Sequence, residues 1–274
     1  MIKSIVIKSL IQNITVWIIS LIAVIPVLLI FINAVKTVSE SSSMNFALPR
    51  RIQFENFTTV IEKGKLSHSF LNSLMYSSIS SFVCIFISAM AAFVLVRNRT
   101  RLNRFLYLFI IMGIALPLNY FTLIDVMKWT ELLNTRAGII VLYMVTQIPF
   151  SVFIIYGFIG SLPKELDEAG VIDGCGPKRL FFSVIFPMLQ PAVVTVFILS
   201  FLNTWNEFVL PLYYLNSAQK WPMTLAVYNF FGQFQQSWNL VSADILLTIL
   251  PIVIIYLLGQ RFIIAGMTNG SVKG

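Results

Sequence analysis

Between residues 164 and 187 the chain reads KELDEAGVIDGCGPKRLFFSVIFP, and this stretch gathers charged chemistry that the rest of the sequence lacks. Glu165, Asp167, Glu168 and Asp173 are four of only eleven carboxylates, and Lys178 and Arg179 follow at once. Clustered carboxylates suit acid–base catalysis, metal binding or docking to a basic partner. The first two fail on this sequence. There is one histidine, His68, which reads as a solvated loop residue, and neither a metal-ligand spacing nor a GxxxxGK[ST] phosphate loop is present, so no nucleophile–base or metal constellation can be assembled. Docking remains. Pro163 suits a first helical position with Ser161 or Leu162 before it, acids crowd the first turn, and Gly174 and Gly176 stand where a helix would end, which predicts a short helix over 163–173. On it Leu166, Ala169, Gly170 and Asp173 share one narrow face with two tiny residues at its centre. That face invites a groove on another protein, with Glu165 and Glu168 free to meet basic groups there.

Two further constellations bear polar chemistry. Ser73, Ser77, Ser80, Ser81, Cys84 and Ser88 recur at three- and four-residue steps and line one face of a helix, either to let backbones pack closely or to line a wet path. The stretch FLNTWNEFVLPLYYL brings Asn203, Trp205, Asn206 and Glu207 together, amide, indole and carboxylate groups suited to a hydroxyl-rich ligand or to an interfacial anchor. Ser77, Ser81 and these four residues are the candidates for a substrate path.

The elements that must carry these groups are set by an apolar chain. Of 274 residues 58% are hydrophobic and 11% charged, with a mean hydropathy of +0.86. This composition defines a membrane protein, and because strand-type alternation is absent it predicts an all-α one. Six segments are long enough to cross a bilayer, at about 14–35, 70–96, 104–125, 138–160, 186–210 and 243–264. The aromatic segment 224–234 is too short and belongs at an interface or in an external loop. The acid-free turn RNRTRLNR, with Arg97, Arg99, Arg101 and Arg104, places that loop in the cytoplasm. Both termini and the acidic insert 161–185 then fall inside, and the connections 36–69 and 211–242 outside, although the first of these holds Lys36, Arg50, Arg51, Lys63 and Lys65. The formal charge of +8 is therefore topological, and nucleic acid is not an expected partner. Cys84 and Cys175 lie too far apart in character and place to pair. Prolines 26, 117, 149, 187, 191 and 251 fall within or at the ends of spans and predict kinks. Asp125, Glu207, Asp244 and Arg261 all lie near span ends, which leaves no mid-span relay for a proton or sodium gradient and disfavours a secondary carrier or channel.

EAGVIDGCGPKRLFFSVIFP resembles the EAA loop of inner-membrane permease subunits of binding-protein-dependent ABC importers, with Glu168, Ala169, Asp173, Gly174 and Pro187 at the motif's places. Gly170 replaces the usual second Ala, and Cys175 the Ala after Asp-Gly. FLNSLMYSS, SLPKELDEAG, TWNEFVLPL and GQRFIIAGMTNGSVKG extend the likeness through nearly the whole chain, and it is nearest to the carbohydrate-uptake branch, similar to the second permease subunit of the maltose system. The resemblance implies a single permease domain over 1–274, a type I importer fold with six transmembrane helices and cytoplasmic termini in the bacterial inner membrane, and no catalysis of its own. It implies that Glu165, Glu168, Ala169, Gly170, Asp173, Gly174 and Pro187 form a coupling segment. Implied partners are a second permease chain, two ATPase subunits that bind ATP and Mg, an extracytoplasmic solute-binding protein and membrane lipid, with no cofactor in this chain. The tail from Gly266 to Gly274 would by the same likeness reach the ATPase pair. A permease for a phosphorylated polyol or a peptide is the alternative, against which no Arg or Lys sits in the middle of a predicted span to bind phosphate.

Overall fold

A computed structural model describes residues 2–230 and 237–269, with side chains described from 12 to 262. The end of the tail, 270–274, and the end of the aromatic segment, 231–234, lie outside the described residues. Fourteen α-helices follow one another with no strand among the described residues: α1 Ile2–Ala34, α2 Val38–Ser41, α3 Glu55–Lys63, α4 Leu66–Arg97, α5 Arg101–Ala115, α6 Tyr120–Trp129, α7 Arg136–Ser161, α8 Glu165–Ile172, α9 Pro177–Arg179, α10 Phe186–Met188, α11 Gln190–Asn206, α12 Val209–Tyr214, α13 Met223–Ala226 and α14 Trp238–Asn269.

Helix starts follow short-range chemistry. Thr100, Asn119 and Thr135 each accept a hydrogen bond from the backbone N–H three residues on, at Asn103, Thr122 and Gly138, and so satisfy an otherwise orphaned donor. Four stretches, within α1, α4, α7 and α14, are each long and apolar enough to cross a membrane. The expected third and fifth spans are not single rods. The third bends by 117° between α5 and α6, and the fifth by 75° before α11. In the third, Pro117 has no N–H to give and forces Leu116 into extended backbone, φ −79° and ψ 126°, after which Asn119 caps a new helix. In the fifth, Leu189 turns between Pro187 and Pro191, and the helix ends at Asn206 rather than 210. With each bent pair taken as one span the number of candidate spans rises from four to six.

The described residues fall into two compact units, one of residues up to Ser67 with Ala226–Leu250, the other of His68–Leu225 with residues from Pro251 onward. In the first, polar side chains tie the end of α1 to its surroundings. Asn56 donates to the carbonyls of Ala34 and Lys36 at 2.8 and 2.9 Å, and Asn239 donates to the Asn56 side chain at 2.9 Å. Lys36, expected in a solvated loop, is 1% exposed and gives its ammonium protons to the Asn33 and Asn45 side-chain oxygens and the Asn45 carbonyl. Burying a charge so completely is tolerable only with such oxygens around it.

In the second unit α4 supplies a small-residue face. Ser77, Ser80, Ser81, Cys84, Ser88, Ala89 and Ala92 are all buried, and Cys84 Sγ comes within 3.4 Å of Ser151 Oγ on α7. In this chain the serine face lies against α7 at that contact, as close helix packing requires. Two apolar clusters bracket this seam. One joins Ile85, Ala92 and Val96 of α4 to Ile155 and Ile159 of α7 and to Phe181, Ile185 and Leu189; the other joins Tyr76, Met127, Tyr143, Leu210 and Tyr214.

Candidate functional site

The acidic insert folds as α8, eight residues rather than the expected eleven-residue helix, because Leu162 before Pro163 is extended and regular backbone starts at Glu165. Glu165, Asp167 and Glu168 fill the first turn, where carboxylates favour the N-terminal end of the dipole. The helix stops by a Schellman arrangement. Gly174 takes φ +76°, its N–H reaches the Val171 carbonyl at 3.0 Å, and the Cys175 N–H reaches the Gly170 carbonyl at 2.9 Å. Asp-Gly after an apolar pair is the sequence signal for that stop.

Which face α8 turns outward differs from the spacing-based expectation. Gly170 is buried, and a Cβ there would lie 2.6 Å from Leu180 Cδ1, so the smallest residue of the helix is spent on contact within this chain. Leu166 and Asp167 are half-buried on the same side. Glu165, Glu168 and Ala169 are exposed, as are Val171 at 62% and Ile172 at 85%. The open face therefore runs over Glu165, Glu168, Ala169 and Ile172, an apolar residue flanked by carboxylates. Asp173 and Gly174 are exposed beside it, and neither Glu165, Glu168 nor Asp173 makes an ion pair among the described residues.

What holds α8 is a residue that the sequence reading assigned to topology. Arg97, last in α4, pairs through Nε with Asp167 Oδ2 at 2.5 Å and through Nη2 with Oδ1 at 3.3 Å, while Nη1 approaches the Leu162 carbonyl at 3.4 Å. Both side chains are largely withdrawn from solvent, at 11% and 19% exposure. The one available hint was that Asp167 faces away from Glu165 and Glu168 on a helical wheel and so needs a partner from within the chain. Beyond α9, residues Leu180–Ile185 widen into a π-helix in which the Phe186 N–H reaches back to the Phe181 carbonyl, and Pro187 follows immediately. Proline cannot continue an α-ladder without clashing with the carbonyl four residues back, and the wider turn accommodates it. Leu180, Phe181 and Ile185 are buried in the α4–α7 cluster. The acidic helix is thus fixed at one end by an ion pair and at the other by an aromatic wedge.

The substrate-path candidates separate. Trp205 is 1% exposed, stacked on Phe201 at 5.7 Å and edge-on to Phe70 at 5.9 Å, deep in the second unit. Ser77 and Ser81 are buried on the α4 seam. Glu207 is half-buried, and its Oε1 accepts from the Val209 and Leu210 N–H groups at 2.7 and 3.1 Å, which makes it the start signal of α12. Asn203 and Asn206 are exposed. The bend between α5 and α6 opens a cavity of about 380 Å³ lined in part by Pro117, Asn119, Thr122 and Thr146, none of which is among the substrate-path candidates. Asp244 lies in the second turn of α14 and is 1% exposed, so this carboxylate, expected near a span end, is enclosed by protein. No cluster of three or more potential metal ligands occurs among the described residues.

The chain is thus helical, with several membrane-length apolar helices and an acidic segment between two of them that is tied to the end of α4. Residues 84–269 match the family of binding-protein-dependent transport system inner membrane components, and the chain belongs to that family. Among curated relatives, the melibiose/raffinose/stachyose import permease protein MelC of Bacillus subtilis (strain 168) is 32% identical over 253 residues, 91% of each chain. The multiple sugar-binding transport system permease protein MsmG of Streptococcus mutans serotype c is 34% identical, again covering 91% of each. A putative ABC transporter permease of Caldicellulosiruptor sp. is 37% identical over 93% of this chain and 94% of its own. A chain of a bacterial ABC transporter involved in import of the acidic polysaccharide alginate has the same fold, with a TM-score of 0.81 at 20% identity, covering 93% of this chain and 96% of that one.

Proposed function

We propose that this chain is the permease half of an ATP-driven carbohydrate importer in the bacterial inner membrane, and that α8 is where the ATPase engine grips it. The carrying observation is the mounting of α8. An exposed face of Glu165, Glu168, Ala169 and Ile172, whose carboxylates make no ion pair among the described residues, belongs to a helix tied down by Arg97–Asp167 and by Gly170 packed against Leu180. A rigid lever with an unfilled grip transmits force; a loosely tethered one would not.

In this reading the six apolar segments cross the membrane with both termini in the cytoplasm, and the bent third and fifth segments line the path. A second permease chain completes that path, two ATPase subunits bind ATP and Mg, and an extracytoplasmic protein delivers the solute. ATP-driven closure of the ATPases moves the two permease chains between inward-open and outward-open packings. The sugar assignment draws on the names of MelC and MsmG and on Asn203 and Asn206, exposed amides suited to hydroxyl groups. In the same reading Trp205 packs on Phe70 and Phe201, Glu207 starts α12, and Ser77 and Ser81 form the seam that must slide.

The test is uptake by cells carrying the complete importer. Glu168→Arg reverses a grip charge and Ile172→Asp places a carboxylate where a partner must bury an apolar group. Each is expected to lower uptake and transport-linked ATPase activity by tenfold or more, on the order of 1.4 kcal/mol or above at the interface, with the subunit still inserted. Normal uptake in both would overturn the coupling role.

A further inference from the structure

We propose that the arginine-bearing turn between α4 and α5 is a binding site for the headgroup of an anionic phospholipid. Arg99, Arg101 and Arg104 border a cavity of about 580 Å³ that Tyr107, Leu108 and Tyr156 also line. None of the three arginines has a carboxylate partner among the described residues, whereas their neighbour Arg97 is spent on Asp167. The turn does not need them for its own shape. Its backbone is closed by the Thr100 N–H on the Asn98 carbonyl at 2.9 Å, by the Asn103 side chain on the same carbonyl at 2.7 Å, and by the Thr100 cap.

Three free guanidiniums over one cavity specify an anion with several acceptor oxygens, and a phosphodiester fits. The apolar part of the lining specifies what the anion is attached to. Tyr107 and Tyr156 stack at 3.8 Å between ring centroids, and Leu108, 54% exposed, leads onto the apolar outer face of α5, where Leu102, Phe105 and Phe109 are 62–64% exposed. A free phosphate would use the arginines and leave this apolar lining unused. An amphiphile uses both, with its head among the guanidiniums and its acyl chains along α5. The site stands apart from the coupling role of α8 and requires only that the turn lie at a membrane surface.

The experiment uses the assembled importer, purified in mild detergent and washed free of loose lipid. Bound lipid is counted by native mass spectrometry after titration with phosphatidylglycerol, phosphatidylcholine or inorganic phosphate. Wild type is expected to retain phosphatidylglycerol at least tenfold more tightly than phosphatidylcholine, without displacement by millimolar phosphate. With a contribution of about fivefold per basic residue, the triple substitution Arg99→Gln, Arg101→Gln, Arg104→Gln weakens retention about a hundredfold. Gly160 also lines the cavity and a Cβ there meets nothing within 4 Å, so Gly160→Trp fills the space while keeping every charge and is expected to abolish retention too. Equal retention of the two lipids overturns the proposal, as does undiminished retention in Gly160→Trp. Displacement by phosphate alone would make it a soluble-anion site, and shielding of the arginines only when the ATPases are bound would assign the surface to a protein; either result also overturns it.

Discussion

Two glycines in the acidic segment look alike in sequence and do opposite work. Gly174 sits at φ +76° with open space around a would-be Cβ, so its requirement is conformational. A side chain there costs about 1–2 kcal/mol of left-handed strain and loosens the Schellman stop. Gly170 has ordinary helical backbone, and a Cβ would press on Leu180 Cδ1, the far end of a flexible side chain that can rotate away. Alanine at 170 also gains up to ~1 kcal/mol in helix propensity. Gly170→Ala is therefore expected to leave uptake within about twofold of wild type and the melting temperature unchanged or raised, a balance of helix gain against a small repacking cost. Gly174→Ala is expected to lower both. Uptake assays beside thermal unfolding of the purified complex decide it, and the reverse order would mean that Leu180 cannot yield.

At the scale of elements, the clamp between α4 and α8 carries the next prediction. The Arg97–Asp167 pair is mostly withdrawn from water, so removing one partner leaves the other charge poorly solvated, an effect on the order of 1–3 kcal/mol, well above a surface pair. If α8 is the coupling segment, Arg97→Gln and Asp167→Asn are each expected to reduce uptake while ATPase activity persists, because α8 could still be gripped but would no longer pull on α4. The double variant should be no worse than either alone, and additive losses would show that the two residues act separately. Much of this segment was legible in advance. The stop at Asp-Gly, the acidic first turn and the breaks at Pro117 and Pro187 depend on residues within a few positions of one another. The outward face was not legible. It is set by Arg97 and Leu180, residues far from α8 or beyond its end, and spacing alone could not choose between two adjacent stripes. The size of the 117° bend was not legible for a related reason: a proline predicts a kink, but its size depends on Asn119 starting a new helix straight afterwards.

For the whole molecule the question is what drives transport, and Asp244 is the residue that tests it. A carboxylate enclosed in a membrane-length helix is the usual mark of an ion-coupled carrier, and among the described residues of α14 it is the one buried acid. Trp205, read from its stretch as an interfacial anchor or a ligand contact, is buried in this chain, and Asp244, near the start of its span as expected, is buried as well. In both cases burial depends on which distant helices pack nearby, and the linear sequence does not display that. If energy enters through α8, Asp244 serves local structure, and the isosteric Asp244→Asn exchanges a buried carboxyl for an amide without opening a cavity. Uptake by the complete importer with Asp244→Asn is expected to stay within about threefold of wild type, since most substitutions that preserve packing cost little. The same chain reconstituted in vesicles with its permease partner but without ATPases should equilibrate its solute and never concentrate it, with or without an imposed proton or sodium gradient. Gradient-driven accumulation that disappears in Asp244→Asn would move the engine from the cytosolic lever into the membrane itself.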